Sequence, residues 1–257
     1  MIFDSHMHTE LSSDSKMTIA EVIKRGQDLN IGTILTEHMD YNYPVPDLFK
    51  VDCDKFFDKY SKYRGDNLLL GIEIGLSESI VDKNIELSNK YPFDFILGSV
   101  HSINDIDIFS DPNKDSISKK DFFTSYFEEM LRDVKSFDNF DSLSHIDYPC
   151  RYLNYKDNEI YLKDFSDYLD EIFKVLISKS KVLELNSKRL DFISASKALI
   201  PLYKRYNELG GKYITLGSDA HNIGAIGFNF DIALNMAKEA NLKPIYFKER
   251  KPQIITL

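Results

Sequence analysis

The sequence predicts an α/β barrel built from seven strand–helix units. Three observations carry that expectation. Short apolar runs alternate with longer amphipathic stretches along most of the 257 residues, the pattern of βα units around a parallel sheet. The length suits one such barrel and can bury a large core without disulfides. The glycine-rich phosphate loop of open, doubly wound sheets is missing. With no internal repeat, low-complexity tract or long linker, residues 1–257 read as one domain.

The expected strands are Ile2–His8, Thr33–His38, Leu68–Ile74, Phe95–His101, Ser142–Asp147, Val182–Asn186 and Tyr213–Asp219. Each is a brief run rich in branched or aromatic side chains. Helical patterns occupy Ile19–Leu29, Cys53–Tyr63, Glu78–Tyr91, Lys119–Phe137, Glu159–Ser180 and Ala195–Leu209, and a last helix follows at Asp231–Ala240. The tail Lys243–Leu257 reads as a short strand pair or a closing extension. Asn104–Ser118 is polar and aperiodic, so it is either a solvated loop or a lid or specificity segment.

Composition narrows the function classes. A net charge of −9 disfavours general nucleic-acid binding, which relies on Lys and Arg against phosphate. No apolar run is long enough to span a membrane. The opening MIFDSHMH lacks the basic and apolar regions of a secretion signal. Cys53 and Cys150 are isolated, which fits a reduced, cytoplasmic protein in which both are packing residues. An anionic substrate would need a local positive site, supplied by metals or a few arginines.

The six histidines are His6, His8, His38, His101, His145 and His221. All fall near the C-terminal ends of expected strands, where barrel enzymes gather catalytic residues, and none falls in an expected helix. Side chains two apart on a strand share a face. Asp4, His6 and His8 therefore point together, as do Leu69, Gly71 and Glu73, and Gly217, Asp219 and His221. A single buried histidine is usually a satisfied core residue. A His-x-His pair, an Asp-x-His pair, Glu73 and three further histidines together suit zinc, manganese or iron.

The motifs Asp4-Ser5-His6-Met7-His8-Thr9, Thr36-Glu37-His38, Gly71-Ile72-Glu73, Gly98-Ser99-Val100-His101, Ser144-His145-Ile146-Asp147 and Gly217-Ser218-Asp219-Ala220-His221 occur in that order. In these the chain resembles the polymerase-and-histidinol-phosphatase (PHP) superfamily, most closely its histidinol-phosphate phosphatases. The tail Arg250-Lys251-Pro252 is similar too. The resemblance implies a distorted (β/α)7 TIM-like barrel with its active site at the C-terminal strand ends, and two to three divalent ions. His6, His8, Glu73 and Asp219 would hold one ion. Glu73, His101 and His145 would hold a second, with Glu73 as the bridge. His38, His221 and Asp14 would hold a third, Asp14 standing where several relatives carry histidine. Asp14 also has a plain reading as a turn residue.

Such a cluster suits hydrolysis of a phosphate monoester. Three divalent ions, offset by Glu73, Asp219, Asp14 and a bridging hydroxide, leave a charge of about +2 to meet a dianion. The hydroxide would attack phosphorus in line. Asp219 is the candidate to orient it and shuttle a proton to the leaving group, with His221 second. Arg151 and Arg189 follow the fifth and sixth strands and suit phosphate binding; each is otherwise surface charge. Asp4 is a candidate orienter of a ligating histidine. Glu37, Asp40, Tyr41 and Tyr43 are candidates for the amine and imidazole of histidinol phosphate, and Asp4, Glu37 and Asp147 could equally be rim carboxylates. Other readings are a phosphoesterase for nucleotides or phosphotyrosine, an amidohydrolase-like enzyme, and a non-enzymatic metal scaffold. The oligomeric state is open.

Overall fold

The computed structural model describes residues 1–255. Its strands are β1 (Phe3–Asp4), β2 (Gly32–Leu35), β3 (His38–Met39), β4 (Leu68–Gly75), β5 (Phe95–Ser99), β6 (Ser102–Ile103), β7 (Ile106–Asp107), β8 (Ser142–Leu143), β9 (Val182–Asn186), β10 (Tyr213–Gly217), β11 (Lys243–Lys248) and β12 (Lys251–Ile254). The main sheet runs β1-β2-β4-β5-β8-β9-β10-β11-β12, with β3 continuing β2 alongside β4. Every pairing from β1 to β11 in that sheet is parallel. The Ser5 amide donates to Leu216 O at 2.8 Å, and Met7 bridges Ala220 in parallel. These bonds join the first barrel strand to the seventh and close a distorted (β/α)7 barrel.

The helices are α1 (Ile19–Leu29), α2 (Cys53–Tyr60), α3 (Val81–Lys90), α4 (Lys119–Ser136), α5 (Leu162–Ser178), α6 (Ile193–Glu208) and α7 (Phe230–Glu239). Their starts follow local chemistry. Thr18 and Glu21 form a capping box before α1, Asp52 accepts from Lys55 N at α2, and Ser118 accepts from Asp121 N at α4. Asn30 ends α1 in the left-handed conformation. No helix among the described residues is long and apolar enough to cross a membrane.

Several strands end earlier than the side-chain pattern suggests: β1 stops at Asp4, β8 at Leu143 and β10 at Gly217. Beyond these points side chains replace the ladder as acceptors. Met7 N donates to Thr36 Oγ1, His145 N to Glu184 Oε2, and Ser218 N to Asp4 Oδ1. Period-2 alternation persists through such segments, but the strand does not. The helix expected from Glu159 starts at Leu162.

The barrel interior is graded along its axis. At the N-terminal end Phe3, Ile34, Leu69, Phe95, Leu97 and Val182 pack against Ile245 and Phe247. The tail does form a strand pair, β11 with β12; Thr256 and Leu257 of the expected tail lie outside the described residues. Tyr246 stacks on Phe3 at 3.8 Å, and Arg250 bonds Asp141 just before β8. This hairpin thus covers the N-terminal end. A hydroxyl layer follows, with Ser142 against Thr215 at 2.8 Å and Ser144 donating to Ser99 at 2.6 Å. Above it lie the imidazoles and carboxylates. The larger apolar cluster packs the helices onto the outer strand faces.

Candidate metal centre

Glu73, on β4, stands at the middle of the C-terminal end of the barrel. Its Oε1 lies 3.1 Å from His145 Nε2, 3.3 Å from His101 Nε2 and 3.4 Å from His6 Nε2. Its Oε2 lies 2.9 Å from His38 Nδ1 and 3.5 Å from His8 Nε2. Asp219 Oδ1 is 3.4 Å from His8 Nε2 and 3.7 Å from His6 Nε2. His8 stacks on both His38 and His221, at 4.1 and 4.3 Å between ring centres. Asp14 Oδ2 reaches His221 Nε2 at 2.9 Å and His38 Nε2 at 3.4 Å. All nine residues expected as ligands therefore come together. Five of the six histidines sit just beyond their strands; only His38 lies within one.

The donor set fits divalent ions. His6, His8 and Glu73, and separately Glu73, His101 and His145, present ligand atoms within 4.8 Å of one another. His6, His145 and Asp219 do the same, as do His8, His38 and His221. His6 Nε2, His8 Nε2, both ring nitrogens of His38 and Glu73 Oε2 are buried without a hydrogen-bond partner. Buried polar atoms are seldom left so, and a shared cation would satisfy them. The inner groups are fully buried, whereas the Asp14 side chain is 36% exposed.

The opposite ring nitrogens are tied down. Glu184 Oε1 meets His6 Nδ1 at 2.9 Å, Asp40 Oδ1 meets His101 Nδ1 at 2.9 Å, and Asp219 O meets His221 Nδ1 at 3.0 Å. Such partners set ring orientation and tautomer in metal sites. Burial opposes charge on Glu73, but His6, His38 and His101 outweigh it and hold the carboxyl well below its usual range. Burial likewise opposes charge on Asp219, and Lys188, Arg151 and His6 overcome it. His8 is pushed well below its ordinary value by burial and by His38 and His221.

A cavity of about 340 Å3 opens above Glu73 and Asp219. Arg151 and Lys188 form a basic wall. Arg151 Nη1 bonds Asp219 Oδ2, and Lys188 Nζ lies 3.2 Å from the same oxygen. Asp107, Tyr43, Phe49, Phe109 and Tyr152 also line the cavity. Asp107 and Phe109 belong to the expected 104–118 loop, whose first residues form the β6–β7 hairpin. That segment is therefore part of the cavity wall.

Three expectations are corrected. Arg189 does not line the cavity; Nη1 bonds Asp147 and Nη2 bonds Glu159, both at 2.8 Å. Its neighbour Lys188 takes the cavity position, because the turn after β9 sends successive side chains opposite ways. Glu37 is not a substrate contact. It is buried, and its oxygens accept from Thr9 Oγ1 at 2.5 Å and Ser12 Oγ at 2.6 Å, which clamps the loop carrying Asp14. Asp4 touches no imidazole ring. It accepts from Ser218 N and Oγ and from Gly227 N, while burial pushes its carboxyl up to about 6.

Of the substrate-contact candidates, Asp40 bonds His101, Tyr43 lines the cavity, and Tyr41 packs against the core outside it. Glu184 was missed altogether. Val182, Glu184 and Asn186 share the inward face of their strand, a parity readable in advance, but without histidine nothing marked the strand as part of the site. Cys53 and Cys150 are free and buried, as packing residues should be.

Comparisons with known proteins agree with this geometry. The PHP domain family matches residues 4–188. The chain is 46% identical over 250 residues to a probable histidinol-phosphatase of Clostridium acetobutylicum, covering 97% of this chain and 98% of that protein. It is 30% identical to a histidinol-phosphatase of Lactococcus lactis subsp. lactis, covering 85% and 83%. The fold matches the crystal structure of histidinol phosphate phosphatase from Lactococcus lactis subsp. lactis, complexed with zinc, L-histidinol and phosphate, at a TM-score of 0.90 and 26% identity over 98% of both chains. Family match, full-length relatives and barrel agree, and the chain belongs to the PHP domain family, in its histidinol-phosphatase branch.

Proposed function

We infer that the chain hydrolyses L-histidinol phosphate to L-histidinol and phosphate, a step of histidine biosynthesis, with divalent ions as cofactors. The observation that carries this reading is a nine-residue imidazole and carboxylate cluster beside a basic wall, in a chain collinear with histidinol-phosphatases. His6, His8, Glu73 and Asp219 would hold one ion, Glu73, His101 and His145 a second, and His38, His221 and Asp14 a third. Ions in these positions acidify water and offset charge on phosphate oxygens.

The chain's own groups account for the rest. Arg151 and Lys188 face the cavity together and suit two oxygens of a phosphate dianion. Asp219 is kept ionised by the same pair, so it accepts a hydrogen bond from the attacking water and orients it toward phosphorus. As the new P–O bond forms, the ester P–O bond breaks, and one proton passes from the water to the leaving alkoxide. Asp219 and His221 are the groups placed to carry it. The aromatic wall would exclude solvent and face the imidazole of the substrate, and Asp107 would meet its ammonium.

Residues 1–257 serve this function as one domain; a sheet continuous from β1 to β12 supports that view. The charge of −9 argues against a nucleic-acid partner, and two free, buried cysteines suit the reducing cytoplasm. The test is phosphate release from L-histidinol phosphate by metal-reconstituted enzyme, beside a nucleoside monophosphate, phosphotyrosine and the His101→Ala variant. Selective release abolished by the substitution is expected. Equal or faster release from another ester would overturn the substrate, and amide hydrolysis without phosphatase activity would overturn the reaction class.

A further inference from the structure

Glu184 is fully buried inside the barrel, beneath the imidazole cluster. Its two oxygens are committed differently. Oε2 accepts from His145 N at 2.8 Å and from Asn186 Nδ2 at 3.0 Å. Oε1 lies 2.9 Å from His6 Nδ1. Neither Lys nor Arg pairs with it among the described residues. A carboxylate at this depth costs free energy that a hydroxyl would not, and the nearby interior positions Ser142 and Thr215 do carry hydroxyls. The neighbouring strand β10 also makes room for it. A Cβ on Gly217 would come within 2.0 Å of Glu184 Oε1 and 2.6 Å of the His6 Cβ, so glycine is required there.

Hydrogen-bond directionality gives this arrangement a consequence. An ionised carboxylate only accepts. His6 Nδ1 must then donate, which puts the proton of neutral His6 on Nδ1 and leaves the Nε2 lone pair free. His6 Nε2 has no partner and faces Glu73 Oε1 at 3.4 Å and Asp219 Oδ1 at 3.7 Å. Through Oε2 the same carboxylate holds the main chain of His145, a residue of the neighbouring ligand group. We propose that Glu184 is a positioning residue of the metal centre: it locks His6 in the Nδ1–H tautomer and ties the His6 and His145 ligands into one rigid unit. It does not line the cavity, so it acts through these histidines and not on the substrate. The inference rests on the metal-dependent reading above.

Glu184→Gln tests it sharply. The amide keeps one acceptor and gains a donor. The His145 N–H is fixed main chain and takes the acceptor, so the NH2 group faces His6 Nδ1. His6 must then accept there, and its proton moves to Nε2, pointing into the metal site. The variant is expected to fold, with metal-free melting close to wild type. It should bind zinc about 10–100-fold more weakly, with kcat reduced and KM little changed. Long-range proton–nitrogen NMR of zinc-loaded wild-type protein should show His6 as the Nδ1–H tautomer. Should the variant fail to fold, that wild-type spectrum decides alone, and an Nε2–H tautomer overturns the proposal. Unchanged zinc affinity in a folded variant also overturns it. A wild-type protein that binds no stoichiometric metal and releases no phosphate would instead sink the functional reading, a distinguishable failure.

Discussion

Two arginines illustrate what single side chains do here. Arg151 meets Asp219 in the cavity, whereas Arg189 lies between Asp147 and Glu159, away from it. Arg151→Ala is expected to lower kcat/KM by about 100-fold or more, through loss of charge-assisted bonds to phosphate. Arg189→Ala should leave KM nearly unchanged but destabilise the fold by about 3–5 kcal/mol, because two buried carboxylates lose their cation. Steady-state kinetics beside urea unfolding separate the two outcomes, and a larger kinetic effect at Arg189 would reverse the assignment. Asp133, on α4 and remote from the cluster, carries a different burden. Its carboxyl is buried without a hydrogen-bond partner, and burial with nearby Glu129 pushes it up to about 8. A raised carboxyl favours the protonated folded state. The stability it lends is complete below about pH 4 and is lost as pH rises to about 8. Asp133→Asn should therefore raise the urea midpoint at pH 8.5, by on the order of a few kcal/mol of stability, and change it little at pH 4. A uniform shift at both pH values would contradict this account.

Among the elements, the β6–β7 hairpin and the loop after it connect fold to selectivity. The hairpin leaves directly from His101, and Ile108 N returns to His101 O at 2.9 Å. This brings Asp107 and Phe109 to the cavity that Arg151 and Lys188 also line. Asp107 anchors the turn through Ser110 N at 2.7 Å. Asp107→Asn is expected to raise KM for L-histidinol phosphate about tenfold, roughly the 1.4 kcal/mol of one partly solvated charge contact, and to leave KM for p-nitrophenyl phosphate unchanged. Equal effects on both esters would show a structural role for the loop. The sequence marked this segment only as polar and aperiodic, since nothing local tells whether such a loop faces solvent or a site. The helices were far more legible. α1 matches its expected span at both ends because Thr18, Glu21 and Asn30 encode those ends locally.

For the whole molecule, the proposed metal centre would also act as a keystone. Its candidate ligands come from β3, β4 and the loops following β1, β5, β8 and β10, and so gather most of the barrel around one point. Removing the ions would leave the buried Nε2 nitrogens of His6, His8 and His38 without a partner. Chelation by EDTA is expected to abolish phosphatase activity and lower the melting temperature, and zinc or manganese should restore both, since a ligand bound only by the folded state stabilises it by mass action. A melting temperature indifferent to chelator would mean that the barrel closes without help from the cluster.

The sequence by itself determined the βα alternation, the outward and inward faces of the strands, and the placing of the histidines at strand ends. These are local properties: apolar periodicity, capping chemistry, and residues two apart on a strand. The tertiary structure alone decided the remainder. It set where β1, β8 and β10 stop, because the acceptors that end them belong to Thr36, Glu184 and Asp4. It chose Lys188 over Arg189 for the cavity through the turn that follows β9. It also brought Glu184 to His6 across 178 residues. Each of these depends on which strands become neighbours when Ser5 meets Leu216 and the barrel closes, and contacts so distant in sequence leave no periodic trace in it.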